Sequence, residues 1–404
     1  MTGSGAPGRT RVLFFCEAVT LAHVARPVAL AESLDRASFD AHIACDARYS
    51  NLFKTLELPR HELYSIPSEE FLARLSRGSP VFSAETLETY IADDLRLIEA
   101  VDPDIVVGDF RLSLTVSSKL AGKPYVAISN AYWSPYAEPR FMVPNIPVTG
   151  VLGLPLSQWI FDRIRPMVFA YHCRPMAKVR RHHGLDDLGS DIRRYFTIAD
   201  RTLYADIPEL IPTVNRPDHH LYMGHVPWQP EIDLPDWWEE LPDDRPLVYV
   251  NLGSSGLGEL LPTVLESLGE LEVRTMVATA GRCHLDGVGD NTFEADYLPG
   301  DQAAQRADLM ICNGGSPSAL QAVAAGTPVI GLPSNFDQFL NMAYFERAGL
   351  GTILRPDRFS KSALLEAVTR ILGNRRVRAR IEQVQDQLKG YQPPKILSEV
   401  LATI

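Results

Sequence analysis

The segment from 307 to 351 constrains the fold more than any other part of the chain. It places short apolar runs at 309–312 and 328–332, follows each with apolar residues at helical spacing, and ends the two helical stretches at Gly326 and Gly349. Buried strands of this length, each followed by a helix, are typical of parallel α/β sheets. The segment therefore predicts the order strand, turn, helix, strand, helix.

A glycine pair, Gly314 and Gly315, lies between the first strand and its helix. Ser316 is predicted to be the N-cap of that helix, and Pro317 suits its first turn. Such a turn directs backbone N–H groups and the positive end of the helix dipole at one point, which suits a phosphate. Since glycine pairs before helices are common in α/β proteins, the turn alone fits a purely structural role equally well.

Polar residues follow the second strand, at Asp337, Gln338 and Asn341. The carboxyl edge of such a sheet is where ligands bind, and a sugar needs several hydrogen-bonding groups. The whole segment resembles the donor-binding signature of inverting GT-B glycosyltransferases of family 1: His-Gly-Gly, a Thr or Ser, Glu-Ala, a Gly-Val-Pro or Gly-Thr-Pro strand, and Asp-Gln with Asn three residues later. The resemblance implies that the glycine turn holds the diphosphate of a nucleotide-sugar and that Asp337 and Gln338 bind sugar hydroxyls.

Two positions depart from that signature. Asn313 stands where the family has His, and Gln321 stands where it usually has the Glu that binds the ribose hydroxyls. Asparagine can still donate to a phosphate oxygen, whereas a glutamine amide is a weaker acceptor for two hydroxyls than a carboxylate is. Because deoxyribose has only one hydroxyl to bind, Gln321 raises the case for a dTDP-sugar, and both dTDP and UDP donors stay open.

Length and composition set broad limits. At 404 residues the chain suits two domains of about 200 residues each. Its 46% hydrophobic and 22% charged residues are typical of a soluble globular protein, and its net charge of −11 argues against a nucleic-acid partner.

The cysteines and the N-terminus indicate a compartment. Five cysteines are far apart and form no Cys-x-x-Cys pair, so we expect free thiols. Residues 1–10 are small and polar, which predicts a disordered tail and not a signal peptide. No apolar run reaches the roughly 18 residues of a membrane span. We therefore expect a cytoplasmic protein. The cysteines are Cys16, Cys45, Cys173, Cys283 and Cys312.

A histidine follows the first predicted strand, 11–16. The text Ala22-His23-Val24-x-x-Pro27 resembles the Gly-His-x-x-Pro opening of the same glycosyltransferase family, in which this His is the general base. Imidazole suits that role because its usual pKa of about 6.5 lets it accept a proton at neutral pH. The alternative is a loop histidine that caps its own helix.

A carboxylate is predicted to assist this histidine. Pro103 to Asp109 resembles the family's Pro-Asp-x-Val-x-x-Asp, whose last Asp orients the catalytic His and stabilises its charged form. The alternative for Asp109 is the N-cap of the next helix. The pair Asp102 and Asp104 precedes a strand, so we read it as a turn and expect no metal.

The loop from 130 to 153 is rich in proline and aromatic residues. It is our candidate for the acceptor wall, because rigid rings offer contact area at low entropic cost. A packed structural loop is the alternative. The aromatic candidates are Tyr132, Trp133, Tyr136 and Phe141.

Further donor-binding residues come from the resemblance in the second half of the chain. A second glycine turn, with Gly253 and Ser254, follows the predicted strand 246–251, and its family counterpart contacts the diphosphate through a hydroxyl. Tyr297 and Leu298 match the family loop that surrounds the nucleotide base.

The predicted fold class is α/β, and the resemblance implies the GT-B arrangement of two Rossmann-like, doubly wound domains that face each other across a cleft. We expect a 1–10 tail, an 11–225 acceptor-binding domain, a 226–245 linker, a 246–389 nucleotide-sugar-binding domain and a 390–404 helix that returns to the first domain.

The resemblance implies an inverting, metal-independent glycosyltransferase of natural-product type, with the nucleotide-sugar as co-substrate, no cofactor and a small aromatic or apolar acceptor. We expect no membrane association, and a homodimer stays open. Three alternatives also stay open: a non-catalytic relative that partners another transferase, a nucleotide-sugar epimerase, and a lipid-directed transferase at the membrane surface. The last rests on the predicted helix 156–181, which is apolar early and basic late.

Overall fold

A computed structural model describes residues 8–53, 56–228, 232–253, 257–279, 281 and 291–404. The chain divides into two compact units. The first comprises Met1–Glu138, Ile164–Trp228 and Tyr391–Ile404, and the second comprises Pro139–Arg163 and Gln229–Gly390.

Strands and helices alternate along most of the described chain. The strands are β1 (Thr10–Cys16), β2 (Phe39–Cys45), β3 (Arg60–Glu62), β4 (Ile105–Asp109), β5 (Tyr125–Ser129), β6 (Arg201–Tyr204), β7 (His220–Tyr222), β8 (Leu247–Asn251), β9 (Arg274–Ala278), β10 (Thr292–Ala295), β11 (Leu309–Cys312), β12 (Val329–Gly331) and β13 (Gly351–Ile353). The helices are α1 (Ala22–Glu32), α2 (Ser68–Ser76), α3 (Ala84–Val101), α4 (Leu114–Ala121), α5 (Pro147–Leu152), α6 (Leu154–His182), α7 (Ile192–Thr197), α8 (Leu261–Leu268), α9 (Gly300–Arg306), α10 (Ser316–Ala325), α11 (Phe336–Arg347), α12 (Lys361–Leu372), α13 (Arg375–Leu388) and α14 (Pro393–Leu401).

The first unit is built on a parallel sheet with the strand order β3-β2-β1-β4-β5-β6-β7 within the described residues. From β1 the chain adds β2 and β3 on one side of β1, and it then adds β4 on the opposite side of β1. The direction of strand order therefore reverses between β1 and β4, which makes this pair the topological switch point. Cys16 pairs with Asp109 across these strands. Ligands of doubly wound sheets bind at the carboxyl ends of such strands.

The core of the first unit explains why its central strands are apolar on both faces. Val12 and Phe14 of β1 are buried against α1, and the last helix, α14, contributes Leu397 and Leu401 to the same cluster. A parallel sheet covered by helices on both faces needs near-continuous hydrophobic strands. The C-terminal helix therefore completes the core of the first unit.

The second unit repeats this architecture. Its described strands form a parallel sheet in the order β10-β9-β8-β11-β12-β13, with the switch point between β8 and β11. Asn251 pairs with Cys312 at the carboxyl end of these two strands. The two sheets match the predicted fold class of two doubly wound α/β units.

The division differs from the predicted boundary at residues 139–163, which we assigned to the N-terminal domain. These residues pack with the second unit. Thr149 donates its hydroxyl to Asp357 Oδ2 at 2.7 Å, and Arg355 Nη1 donates to the carbonyl of Val143 at 2.8 Å. Phe141 stacks on Phe336 with ring centroids 6.1 Å apart. Contacts between residues some 200 positions apart have no local signature in the sequence.

The tail and the linker are described only in part. Residues 1–7 and 229–231 lie outside the described residues, whereas Thr10 already belongs to β1. The chain passes from the first unit to the second after Trp228. None of the helices in the described ranges is both long enough and apolar enough to cross a membrane.

Candidate active site

His23 and Asp109 meet at the switch point of the first sheet. His23 is the second residue of α1, and Asp109 is the last residue of β4. Their Nδ1 and Oδ1 atoms are 2.8 Å apart, and the His23 side chain is 21% exposed. Because an ionised carboxylate can only accept, Nδ1 carries the proton and Nε2 is the basic nitrogen. The predicted pairing of these two residues is present.

Arg26 is a third member of this group that sequence reasoning missed. Its Nε donates to Asp109 Oδ2 at 2.7 Å, and its Nη2 donates to Asp109 Oδ1 at 3.0 Å. Burial acts to raise the pKa of Asp109, but the charges and hydrogen bonds of Arg26 and His23 outweigh it and hold that pKa below its usual value. Arg26 thus keeps the carboxylate ionised and oriented toward His23.

A wider network fixes Arg26 in turn. Its Nη1 donates to Asn130 Oδ1 at 3.0 Å, and Asn130 Nδ2 donates to Asp206 Oδ2 at 3.1 Å. The ring of Phe110 stacks on His23, with the ring centroids 4.6 Å apart. The backbone of Phe110 has a positive φ of 59°. A non-glycine residue in the left-handed region costs free energy, and such residues cluster at functional sites.

A buried ionic cluster is formed by residues close in sequence to β1 and to Asp109. Arg111 Nη1 donates to Glu17 Oε2 at 3.0 Å, and Arg111 Nε donates to Asp94 Oδ1 at 3.0 Å. All three side chains are fully buried, and the guanidinium lies 3.6 Å from the ring centroid of Tyr90. Glu17 directly follows β1 and Arg111 is two residues after Asp109, so the cluster holds the backbone on both sides of the site.

The glycine turn of the second unit is organised by Asn313. Its Oδ1 accepts from the backbone N–H of Gly315 at 3.0 Å. A Cβ on Gly253 would lie 2.9 Å from Asn313 Nδ2, and Gly253 has a φ of 65°, so only glycine suits that position. Asn313 therefore bridges the turns that follow β8 and β11, which brings two of the predicted donor-binding loops together.

Other predicted donor residues support the same turn. Asn341 Nδ2 donates to the carbonyl of Gly314 at 2.9 Å. The amide oxygen of buried Gln338 accepts from the backbone N–H of Ser334 at 2.7 Å. Asp337 lies beside it, half-buried in the first turn of α11. Gln338 thus shapes the loop before α11, while Asp337 lies nearer the surface.

Gln321 contacts a carboxylate that sequence reasoning did not single out. Its Nε2 donates to Asp301 Oδ1 at 2.7 Å, and its side chain lies so close over Gly300 that a Cβ there would come within 2.6 Å. Tyr297 is 56% exposed, and Leu298 is buried. The loop before α9 therefore presents a ring at its surface, and α9 presents a carboxylate to Gln321.

One detail of the predicted donor turns needs revision, and one lies outside the described residues. Gly315, and not Ser316, is the N-cap of α10, and it makes no side-chain capping bond. Ser316 is buried inside the first helical turn. The extended backbone needed at the N-cap falls one residue earlier because Gly314, with a φ of 77°, completes the turn. Ser254 lies outside the described residues.

The predicted acceptor aromatics separate into different environments. Tyr132 is 1% exposed, so its ring packs in the interior. Trp133 is half-buried with its ring 4.9 Å from Phe196. Tyr136 meets His220 edge-on at 5.5 Å. Phe141 belongs to the second unit.

Buried His220 makes stability sensitive to pH. Its Nδ1 lies 2.6 Å from the Tyr204 hydroxyl, and burial lowers the pKa of His220 to about 4. As the pH falls below about 6.5, the unfolded chain binds a proton that the folded chain does not, so stability is lost on acidification. We expect the free energy of unfolding, measured in urea, to fall between about pH 7.5 and about pH 5 in both proteins. The fall should be about 1–2 kcal/mol smaller in His220→Asn than in the wild-type protein. If the stability of His220→Asn falls with pH as steeply as that of the wild-type protein, the assignment is contradicted.

One group among the described residues could hold a metal ion. Glu88 lies 2.8 Å from His182 Nδ1 and 2.8 Å from His183 Nε2, at the end of α6. These residues lie on elements that carry neither His23 nor Asp109. The expectation that transfer needs no metal stays a prediction.

Arg26 and Asp301 are the functional candidates that the sequence analysis missed. Arg26 follows His23 by three residues, so both lie on one face of α1, and that spacing is a usable signal. Asp301 has no comparable signal, since its contact with Gln321 joins two helices.

Comparisons with known proteins agree with this architecture. A family described as erythromycin biosynthesis protein CIII-like, C-terminal domain, matches residues 262–402. The PGL/p-HBAD biosynthesis glycosyltransferase of Mycobacterium tuberculosis (strain ATCC 25177 / H37Ra) is 50% identical over 364 residues, covering 90% of this chain and 85% of that protein. The PGL/p-HBAD biosynthesis rhamnosyltransferase of Mycobacterium bovis (strain BCG / Pasteur 1173P2) is 47% identical over 389 residues, covering 95% and 86%.

A solved structure shares the fold. Spinosyn rhamnosyltransferase SpnG complexed with thymidine diphosphate superposes with a TM-score of 0.71 at 20% identity, covering 97% of this chain and 100% of that chain. At this identity the match concerns the fold alone.

Proposed function

The chain belongs to the GT-B glycosyltransferase family of these relatives, and on that premise we propose that it transfers a sugar from a dTDP-sugar to a hydroxyl of a small aromatic or apolar acceptor with inversion. The observation that carries the proposal is the hydrogen bond from His23 Nδ1 to the ionised Asp109, which leaves His23 Nε2 as a base. In this mechanism Nε2 removes the proton of the acceptor hydroxyl as that oxygen attacks the anomeric carbon. Asp109 stabilises the imidazolium that forms.

The leaving diphosphate is assigned to the turns after β8 and β11. Asn313 joins these turns, and its Nδ2 can donate to a phosphate oxygen. The N-terminus of α10 adds its dipole to the same place. These groups are already in position, so they stabilise developing charge without rearrangement.

Gln321 and the relatives support an assignment of the donor base and sugar. With Nε2 held by Asp301, the amide of Gln321 is fixed, and its oxygen can accept from a single hydroxyl. That arrangement suits deoxyribose. A rhamnosyltransferase at 47% identity and a fold relative that binds thymidine diphosphate favour a dTDP-linked 6-deoxyhexose. Tyr297 is the ring proposed to stack on the base.

Calorimetry of the purified protein with dTDP and UDP, without added metal, tests the donor assignment. We expect dTDP to bind roughly tenfold more tightly than UDP, because the additional hydroxyl of ribose meets an amide that is already engaged. Asp301→Asn should weaken dTDP binding by roughly tenfold, since a charged hydrogen bond that orients Gln321 is lost.

Asp386→Asn is the matched control, because Asp386 is an exposed residue of α13 in the same unit. It should bind dTDP as the wild-type protein does. Equal affinity for the two nucleotides would contradict the dTDP assignment, and binding of neither would contradict the donor site itself. A transfer assay with a dTDP-sugar and a panel of phenolic acceptors then tests the reaction.

A further inference from the structure

An uncharged stretch of 21 residues, Phe141 to Phe161, stands out in this acidic chain. Arg140 precedes it, and Asp162 and Arg163 follow it. The part of the second unit from Pro139 to Arg163 contains two basic residues and one acidic residue, although the whole protein has a net charge of −11. The uncharged stretch thus has flanks that are basic on balance.

The structure leaves much of the uncharged stretch exposed. Val151 is 83% exposed and Trp159 is 54% exposed, and three further large apolar side chains of α5 and the start of α6 are also exposed. We call these residues of the second unit the apolar surface. Its members are Val148, Val151, Leu152, Leu156 and Trp159.

The opposite side of the same segment is anchored in the second unit. Thr149 and Ser157 are buried, and Thr149 bonds Asp357. Phe161 meets Phe336 with centroids 5.8 Å apart. Because buried polar and aromatic contacts set the orientation of this segment, the exposure of the apolar surface is a property of the folded unit.

Clustered exposed apolar side chains of this size mark an interaction surface, whereas isolated ones are ordinary. A tryptophan at its edge has a further feature, because the guanidinium of Arg163 lies 3.8 Å from the ring centroid of Trp159. Tryptophan and arginine are the side chains that occupy the boundary between lipid tails and head groups.

We infer that the apolar surface inserts into one leaflet of an anionic membrane, so that α5 and the start of α6 lie on the bilayer. Valine, leucine and tryptophan side chains enter the acyl region, and Arg140 and Arg163 remain among the lipid phosphates. This inference revises the expectation of no membrane association. It does not depend on the proposed donor or on the proposed base.

Charge complementarity favours a membrane over a second copy of the chain. A symmetric contact through the same surface would bring Arg140 and Arg163 of one copy toward the same arginines of the other. An anionic leaflet presents the opposite charge.

Cosedimentation with vesicles tests the inference. We expect the full chain to sediment with vesicles of phosphatidylcholine and phosphatidylglycerol, less with phosphatidylcholine alone, and less at high salt. Val151→Asp should weaken binding by at least roughly tenfold, because a charge replaces an apolar side chain at the point of insertion. Val214→Asp is the matched control, since Val214 is 53% exposed on a loop of the first unit.

Circular dichroism and the melting temperature establish that both variants are folded. Equal vesicle binding by the wild-type protein and Val151→Asp would overturn the inference, as would no vesicle binding by the wild-type protein. Light scattering at the same concentrations tests whether a second copy of the chain binds the apolar surface instead. A wild-type dimer that Val151→Asp dissociates, together with no binding to vesicles, would assign the surface to that second copy.

Discussion

His23→Ala is expected to lower the rate of sugar transfer by roughly a hundredfold to ten-thousandfold, the range in which loss of a general base falls. His23 Nδ1 is bonded to Asp109, so Nε2 is the nitrogen that alanine removes from the reaction. Without it the acceptor hydroxyl must lose its proton to water. The measurement is the initial rate with saturating dTDP-sugar and acceptor.

Nucleotide binding separates this chemical effect from misfolding. The proposed donor residues belong to the second unit, so His23→Ala should bind dTDP with wild-type affinity. His219→Ala, which removes an exposed histidine of the first unit, should retain full activity. Transfer by His23→Ala at near the wild-type rate would contradict the assignment of the base.

Arg111→Met is expected to destabilise the protein by about 3–5 kcal/mol, the usual cost of removing one partner from a buried ion pair. Arg111 bonds both Glu17 and Asp94, and all three side chains are fully buried. Methionine fills much of the volume but leaves two carboxylates without a cation. The measurement is the first unfolding transition in urea.

A combined variant distinguishes lost charge pairing from lost packing. Arg111→Met with Glu17→Gln and Asp94→Asn should regain much of the stability, because no buried carboxylate then remains unpaired. Arg181→Met is the control: the Arg181 side chain is 62% exposed beside Asp187, and its replacement should change stability by less than about 1 kcal/mol. If Arg111→Met unfolds like Arg181→Met, the cluster does not stabilise the unit.

Local patterns predicted the second unit best. The strand Leu309–Cys312 was predicted at its observed bounds, and Gly326, with a φ of 89°, ends α10 as expected. Glycine conformations and apolar runs are local properties, so the sequence shows them directly. The N-cap was predicted one residue late, at Ser316, because the capping preference of serine was weighed without the backbone path through Gly314.

Long-range contacts account for the differences between expectation and structure. Residues 139–163 join the second unit through Thr149 and Arg355, and Tyr132 turned out to be a core residue. An aromatic side chain in a loop can pack inward or face a ligand. Only the position of the neighbouring helices decides which.

By itself the sequence determined the α/β class and the glycine turns, and it supplied the residue types of the proposed base and carboxylate, because these depend on periodicity and on side-chain chemistry. Only the tertiary structure decided that His23, Asp109 and Arg26 share one network and that Gln321 is tied to Asp301. Parallel strands bring residues to one sheet edge from 86 positions away, as with His23 and Asp109. Which side chains then meet depends on strand order and helix packing, which are properties of the whole fold.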